Sequence, residues 1–133
     1  MRTALLLITH GNLGQVLLDT IASILGTLPL TARAISVVND CDPDAMLEAA
    51  GEACNRLDEG AGVLVLTDLY GSTPSNIANR LIDRCAVSIV SGVNVPMLLR
   101  IMNYPDAPLD TLGEIAASGA RNGIVITTRK QAS

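Results

Sequence analysis

Short apolar runs alternate along this chain with longer segments in which apolar residues recur at helical spacing. The run TALLLIT comes first, at residues 3–9, and leucines and isoleucines then recur every three or four residues over residues 11–26. An unbroken apolar run of this length is typical of a strand covered on both faces, and the second spacing is typical of an amphipathic helix. The alternation continues down the chain and predicts right-handed βαβ units.

The whole pattern predicts one α/β domain over residues 1–133, with a mostly parallel open sheet and helices on both faces. The predicted strands are residues 3–9, 34–38, 62–67 and 86–90, and the predicted helices are residues 11–26, 43–59, 73–83, 97–103 and 109–118. Asp42-Pro43 and Thr73-Pro74 each fit an N-cap followed by the first helical residue. A last apolar run, residues 123–128, predicts a strand at the edge of the sheet, in the same chain or swapped into a second copy.

Composition and charge narrow the possible function classes. Only 2% of the 133 residues are aromatic, so base-stacking platforms for single-stranded nucleic acid are not expected. Nine Lys and Arg residues against thirteen Asp and Glu give a net charge of −4, and the basic residues are scattered, which argues against a nucleic-acid partner. The single histidine leaves no His-rich metal site, and we expect neither a metal nor a cofactor.

The cysteines and the apolar runs bear on where the protein is located. The three cysteines fit no zinc or redox spacing and are expected to be buried thiols in a reducing cytosol. The uncharged stretch at residues 85–99 is broken by Gly92 and Pro96 and is too short to span a membrane. We therefore predict a cytoplasmic protein without membrane insertion.

Polar residues that can do chemistry follow the predicted strands at one edge of the sheet. In open parallel sheets, ligands bind outside the carboxyl ends of the strands. His10 follows the first predicted strand, and Asp68 follows the third. An imidazole can act as a nucleophile when one ring nitrogen is free and an acceptor holds the other, and Asp68 is the acceptor that we expect. A hydrogen-bonded structural histidine and a turn aspartate are the alternative interpretations.

The same edge of the sheet also offers groups that can bind a phosphate. Thr73-Pro74 begins the third predicted helix, whose free N–H groups and Thr73 hydroxyl are suited to an anion. Gly11, Gly71 and Gly92 allow the backbone to approach a ligand closely. A helix cap alone would also explain Thr73-Pro74. The chain contains neither a P-loop sequence nor the three-glycine fingerprint of dinucleotide-binding domains.

Three segments of the chain are similar to the motifs of a known family. They are Thr9-His10-Gly11, TDLYGSTP at residues 67–74 with Asn76 beyond it, and SGVNVPML at residues 91–98. On these motifs nearly the whole chain resembles the mannose-family enzyme IIA domains of the bacterial phosphoenolpyruvate-dependent sugar phosphotransferase system. The second motif of that family commonly reads Gly-Gly-Ser-Pro, so Ser72 stands at its second glycine and Thr73 stands at its serine.

The resemblance implies a phosphoryl carrier, a phosphotransferase component with a phosphohistidine intermediate. His10 would accept a phosphoryl group from the phosphocarrier protein HPr and pass it to a histidine of an enzyme IIB partner, for sugar uptake. Asp68 would orient the ring of His10. The groups that would hold the phosphoryl oxygens are those of Thr73, Ser72, Gly71 and Gly11.

The resemblance also implies protein–protein contacts. Members of this family tend to dimerise through an edge or swapped strand, for which residues 123–128 are the candidate. Leu13, Tyr70 and Met97 would form an apolar surface that docks protein partners, although core packing would explain these three residues equally well.

Two other functions remain open on the sequence. A regulatory module would be phosphorylated on His10 only to change which protein it binds, without a direct role in transport. A small-molecule-binding α/β domain would bind its ligand independently of His10. The motifs do not specify the sugar or the particular enzyme IIB partner.

Overall fold

Parallel strands and the helices that connect them make up the described part of the chain. The computed structural model describes residues 1–129, so the last four residues of the predicted domain, 130–133, lie outside it. The strands are β1 (Ala4–His10), β2 (Ala32–Val37), β3 (Val63–Thr67) and β4 (Val87–Ser91). The helices are α1 (Leu13–Leu25), α2 (Pro43–Leu57), α3 (Thr73–Arg80), α4 (Val95–Met102) and α5 (Leu109–Asn122), with a 3-10 turn at Leu81–Asp83 after α3.

The strands within residues 1–129 form one parallel sheet in the order β2-β1-β3-β4. The chain leaves β1 toward β2 on one side and reaches β3 on the other side. The carboxyl ends of β1 and β3 therefore flank the point at which the winding of the sheet reverses. Ligand-binding crevices in open α/β sheets lie at this point.

Helices cover both faces of the sheet, which confirms the predicted α/β class. Leu6 and Ile8 of β1 belong to a core with α2 and α3, whereas Leu5 and Leu7 belong to a core with α1, α4 and α5. All four side chains are fully buried. A strand buried on both faces needs an apolar residue at every position, which explains the unbroken apolar run in the sequence. Every helix within residues 1–129 is too short or too polar to cross a lipid bilayer.

The start of α3 differs by one residue from the prediction. Ser72 is the N-cap, and Thr73 is the first helical residue. The Asn76 N–H group donates to the Ser72 carbonyl at 2.9 Å and so closes the first helical turn there. The predicted cap at Thr73 is therefore wrong, because Pro74 occupies the second position of the helix, where its missing N–H costs no hydrogen bond.

Residues 124–128 do not form the predicted edge strand within this chain. They lie outside the four-stranded sheet, and the side chains of Ile124, Val125 and Ile126 are 74%, 77% and 76% exposed. The β-branched sequence indicates strand propensity, but a strand forms only where a second backbone supplies its hydrogen bonds. An edge strand within one chain is therefore a wrong prediction, whereas pairing with a second copy stays a prediction.

Candidate functional site

His10 and Asp68 meet at the point where the winding of the sheet reverses. His10 is the last residue of β1, and Asp68 directly follows β3. The ring Nδ1 of His10 lies 2.8 Å from Oδ2 of Asp68, and the backbone N–H of His10 donates to the same oxygen at 3.0 Å. One carboxylate oxygen thus contacts both the ring and the backbone of His10.

The environment of Asp68 defines which ring nitrogen of His10 carries a proton. Burial raises the pKa of Asp68, but several interactions lower it, led by hydrogen bonds from the ring and the backbone N–H of His10, and the net pKa lies below its ordinary value. Asp68 is therefore ionised at neutral pH and only accepts hydrogen bonds. Since the carboxylate accepts from Nδ1, that nitrogen carries the proton, and the neutral ring has its free lone pair on Nε2. The His10 side chain is 46% exposed, against 12% for Asp68, so the ring is accessible to another protein.

A tight turn after β3 presents Asp68 to the ring. The Leu69 N–H donates to Oδ1 of Asp68 at 3.1 Å, and the Ser72 N–H donates to the Leu69 carbonyl at 3.3 Å. Gly71 has a φ of +84° at the third position of this four-residue turn, where a type II turn favours glycine. Ser72 has a φ of −84° and a ψ of 173°, a conformation that any residue adopts. The serine therefore fits without strain where the family motif commonly has glycine.

Among the residues predicted to hold a phosphate, Thr73 has a free backbone donor. Its N–H precedes the first hydrogen bond of α3 and has no partner within residues 1–129. Thr73 makes no hydrogen bond to His10 or Asp68 in that range. The other three N–H groups are used within the protein, from Gly71 to Ser75 Oγ at 3.2 Å, from Ser72 to the Leu69 carbonyl, and from Gly11 to the Val37 carbonyl at 2.9 Å. These three residues shape the loops beside His10.

Two fully buried hydroxyl groups at this edge accept hydrogen bonds that the sequence does not predict. Ser75 Oγ accepts the Gly71 N–H, and Thr9 Oγ1 accepts the Gly14 N–H at 2.8 Å. Such bonds depend on how closely a helix or loop approaches a strand, which residue spacing does not encode. Thr9 stands directly before His10 in the first family motif, a position that draws attention to the residue but does not reveal its hydrogen bond.

An exposed apolar surface lies beside the site. Leu13 begins α1, Leu69 and Tyr70 lie in the turn after β3, and all three side chains are exposed. We call these three residues the apolar rim. Met97 was the third residue predicted for this surface, and it is 1% exposed in the core with α4 and α5. That part of the prediction is wrong because the first turn of α4 directs Met97 inward.

The loops at the carboxyl edge of the sheet carry no Lys or Arg side chain. In residues 10–12, 38–42, 68–72 and 91–94, the Asp, Glu, Lys and Arg residues are Asp40, Asp42 and Asp68. No group of three or more His, Cys, Asp and Glu side chains within residues 1–129 could hold a metal ion. The site therefore offers a nucleophilic nitrogen, a carboxylate that stabilises positive charge on the ring, and the neutral N–H donor of Thr73.

Comparison with known proteins identifies a family. The model of the EIIA-man family, described as the PTS system fructose IIA component, matches residues 4–117. The mannose-specific EIIAB component of the phosphotransferase system of Escherichia coli (strain K12) is 32% identical over 127 residues, which are 93% of this chain and 39% of that protein. This chain thus spans about two-fifths of the length of that relative.

Two further similarities extend the comparison. The transcriptional regulatory protein LevR of Bacillus subtilis (strain 168) is 30% identical over 109 residues, which are 77% of this chain and 11% of that protein. The mannose/sorbose-specific IIA subunit of the phosphotransferase system from Enterococcus faecalis has the same fold, with a TM-score of 0.85, 22% identity and coverage of 96% of each chain. The match to the family model over most of the chain establishes that this protein belongs to the EIIA-man family of phosphotransferase system components.

Proposed function

We propose that this protein is a phosphoryl carrier of the sugar phosphotransferase system and that His10 is the residue that becomes phosphorylated. The observation that supports this most directly is the 2.8 Å contact between Nδ1 of His10 and Oδ2 of Asp68. The contact keeps a proton on Nδ1 and leaves Nε2 as the nucleophile. This nucleophile lies at the edge of the sheet where ligands bind in open α/β folds.

Phosphoryl transfer proceeds in line from a nitrogen of the donor to Nε2 of His10. A bond forms between Nε2 and phosphorus while the bond between phosphorus and the donor nitrogen breaks, and that donor nitrogen keeps the electron pair. The proton on Nδ1 stays in place, so the phosphorylated ring is positively charged beside the carboxylate of Asp68. The same steps in reverse pass the phosphoryl group to an acceptor.

Neutral donors stabilise the phosphoryl oxygens. The free N–H and the hydroxyl of Thr73, at the N-terminus of α3, are the groups best suited to this role. Lys and Arg are absent from the loops of the carboxyl edge, so no cation holds the phosphoryl group tightly. A carrier must release what it accepts, and weak neutral binding supports both directions of transfer.

The phosphorylated form of HPr is the donor in this proposal, and an enzyme IIB histidine is the acceptor. Both partners must bring a histidine within bonding distance of Nε2, so each covers the surface around His10. The apolar rim supplies contact area there, and its burial against a partner would stabilise the complex.

Transfer of radiolabelled phosphate from HPr tests this function. We expect the wild-type protein to acquire one label per chain from phosphorylated HPr. We also expect an excess of unlabelled, unphosphorylated HPr to remove that label, because transfer between the two histidines is reversible. A protein that takes no label from phosphorylated HPr would contradict the proposal.

A regulatory role is the second candidate, and the similarity to LevR favours it. The matched region is 11% of that transcriptional regulatory protein, so a related sequence forms one part of a regulator. Phosphorylation of His10 would then change which protein binds at the apolar rim. Affinity capture with the phosphorylated and unphosphorylated forms separates the two roles. A partner that binds only one form, together with sugar uptake that is unchanged in a deletion strain, would favour regulation, whereas capture of an enzyme IIB alone would favour transport.

We also propose that the protein forms a homodimer in which residues 124–128 of one copy pair with β4 of the other. β4 is an edge strand of the sheet within residues 1–129, and a groove of about 530 Å³ lies between it and α5. The groove is lined by residues 88–91 of β4 and by residues of α5 that include Gly113 and Ala117 and the charged Asp110, Glu114 and Arg121. An exposed apolar segment and an open strand edge in the same chain complement each other in two copies.

Two negative charges introduced into residues 124–128 should dissociate this dimer. Ile124→Asp combined with Ile126→Asp is expected to raise the dimer dissociation constant at least about 100-fold, because two buried apolar side chains are replaced by charges. Analytical ultracentrifugation measures the change. Ile24→Asp is the matched control, since Ile24 is an exposed isoleucine on α1, and it should leave the dimer intact. A monomeric wild-type protein, or an unchanged double variant, would refute the proposal.

A further inference from the structure

Helix α1 is anchored at its N-terminus by a residue outside the helix. Asn12 is the N-cap of α1, and its side chain makes no capping hydrogen bond. The N–H of Gly14 in the first turn donates instead to Thr9 Oγ1 at 2.8 Å. Thr9 is fully buried and directly precedes His10. A strand residue therefore performs the role that a capping side chain ordinarily has.

The anchor requires a glycine in the first turn of the helix. A Cβ atom at Gly14 would lie 3.2 Å from Thr9 Oγ1, 3.2 Å from the Leu7 Cβ and 3.3 Å from the Ala34 Cβ. These distances are shorter than ordinary van der Waals contacts, so a side chain here would require α1 or the neighbouring strand residues to shift by a few tenths of an ångström. The absence of a side chain lets the helix come close enough for the hydrogen bond to form.

His10 lies between two residues that are each held by a hydrogen bond to another element. On one side, Thr9 of β1 accepts the hydrogen bond from Gly14 of α1. On the other side, the Gly11 N–H donates to the Val37 carbonyl at 2.9 Å. The backbone of His10 has little freedom between these anchors, and it is the position of this backbone that brings the ring within 2.8 Å of Asp68.

We infer that Thr9 is a positioning residue for His10. Its hydroxyl fixes the start of α1 against the end of β1 and so keeps the imidazole ring within hydrogen-bonding distance of Asp68. Its effect on phosphoryl transfer rests on the proposed function. Its effect on the ring does not, because the tautomer of His10 is measurable without any phosphoryl donor.

Thr9→Val tests the inference, since valine keeps the shape of threonine and removes the acceptor. The Gly14 N–H then lacks its partner in a buried place, and the first turn of α1 shifts or loosens. We expect a lower population of the Nδ1-protonated tautomer of His10 by ¹⁵N NMR, and phosphoryl uptake from HPr that is about 10-fold to 100-fold slower. Thr9→Ser keeps the hydroxyl and should restore both measurements to near the wild-type values.

Thr3→Val is the matched control at the opposite end of the same strand. Thr3 directly precedes β1, is 2% exposed, and has a hydroxyl without a hydrogen-bond partner within residues 1–129. This substitution also removes a buried hydroxyl, but one that accepts no hydrogen bond from a helix, and it should leave the tautomer and the transfer rate unchanged. A general effect of losing a buried threonine hydroxyl would instead give similar results for Thr3→Val and Thr9→Val.

A folded Thr9→Val variant with the wild-type tautomer and rate would overturn the inference, as would a Thr9→Ser variant that is as impaired as Thr9→Val. If Thr9→Val does not fold, Gly14→Ala provides the test, because it keeps the hydroxyl but moves the helix. An unchanged tautomer in Gly14→Ala would then count against the inference. A wild-type protein that accepts no phosphoryl group contradicts the proposed function alone, since the NMR comparison still stands.

Discussion

His10→Gln should accept no phosphoryl group from phosphorylated HPr. His10 is the single histidine among 133 residues, so no second imidazole can take over its role. Glutamine is similar in length and keeps an N–H donor for the Asp68 carboxylate, but its amide nitrogen has no free lone pair for attack on phosphorus. Intact-mass spectrometry after incubation with phosphorylated HPr measures the result as the presence or absence of one added phosphoryl group.

The His10→Gln substitution should have little effect on folding, because nearly half of the His10 side chain is exposed. Thermal unfolding of the variant therefore serves as the control, and its transition should remain close to that of the wild type. A phosphoryl group found on the folded variant would show that another residue is the acceptor and would remove His10 from the mechanism.

Asp68→Asn should slow phosphoryl uptake by about 10³-fold or more, on the scale seen when the aspartate of a catalytic triad is replaced by asparagine. Asparagine keeps the size of the side chain but loses the charge that stabilises the phosphorylated ring. Its amide can also donate to Nδ1, which favours the tautomer with a proton on Nε2 and so blocks the nucleophile. Rapid-quench measurement of labelled phosphate transfer from HPr gives the rate.

Asp40→Asn is the matched control for this experiment. Asp40 lies at the same edge of the sheet, is exposed and does not contact His10. Its replacement by asparagine changes the net charge by the same amount as Asp68→Asn. We expect its rate to stay within about threefold of the wild type, since an exposed charge is well screened by solvent. Equal rates for Asp68→Asn and the wild type would mean that Asp68 has no part in transfer.

The fold and the central contact follow closely from the sequence. Apolar side chains through most of β1 and β3 indicate strands covered on both faces, and the alternation with helical spacing leads to a parallel sheet. Side chains at the carboxyl ends of such strands gather at one edge, so His10 and Asp68 were expected near each other. The contact itself depends on β1 and β3 being neighbours, a strand order that the sequence pattern alone does not determine.

Other features depend on tertiary contacts that no local pattern reveals. The bond from Gly14 to Thr9 exists because α1 approaches the sheet closely, and Ser75 holds Gly71 because α3 lies against its own preceding turn. Residues 124–127 show the opposite case, since strand-forming side chains there lie outside the four-stranded sheet within residues 1–129. Met97 was assigned to the docking surface together with Leu13 and Tyr70, whereas the orientation of α4 buries it and leaves core packing as its role.

The site of phosphorus attachment tests the central claim most directly. Protein with ¹⁵N-labelled histidine is phosphorylated by HPr, and the ring nitrogen bonded to phosphorus is identified by its ¹⁵N shift and its coupling to ³¹P. The hydrogen bond between Nδ1 of His10 and Asp68 predicts phosphorus on Nε2 and a proton retained on Nδ1. Phosphorus on Nδ1, or on any residue other than His10, would contradict the account.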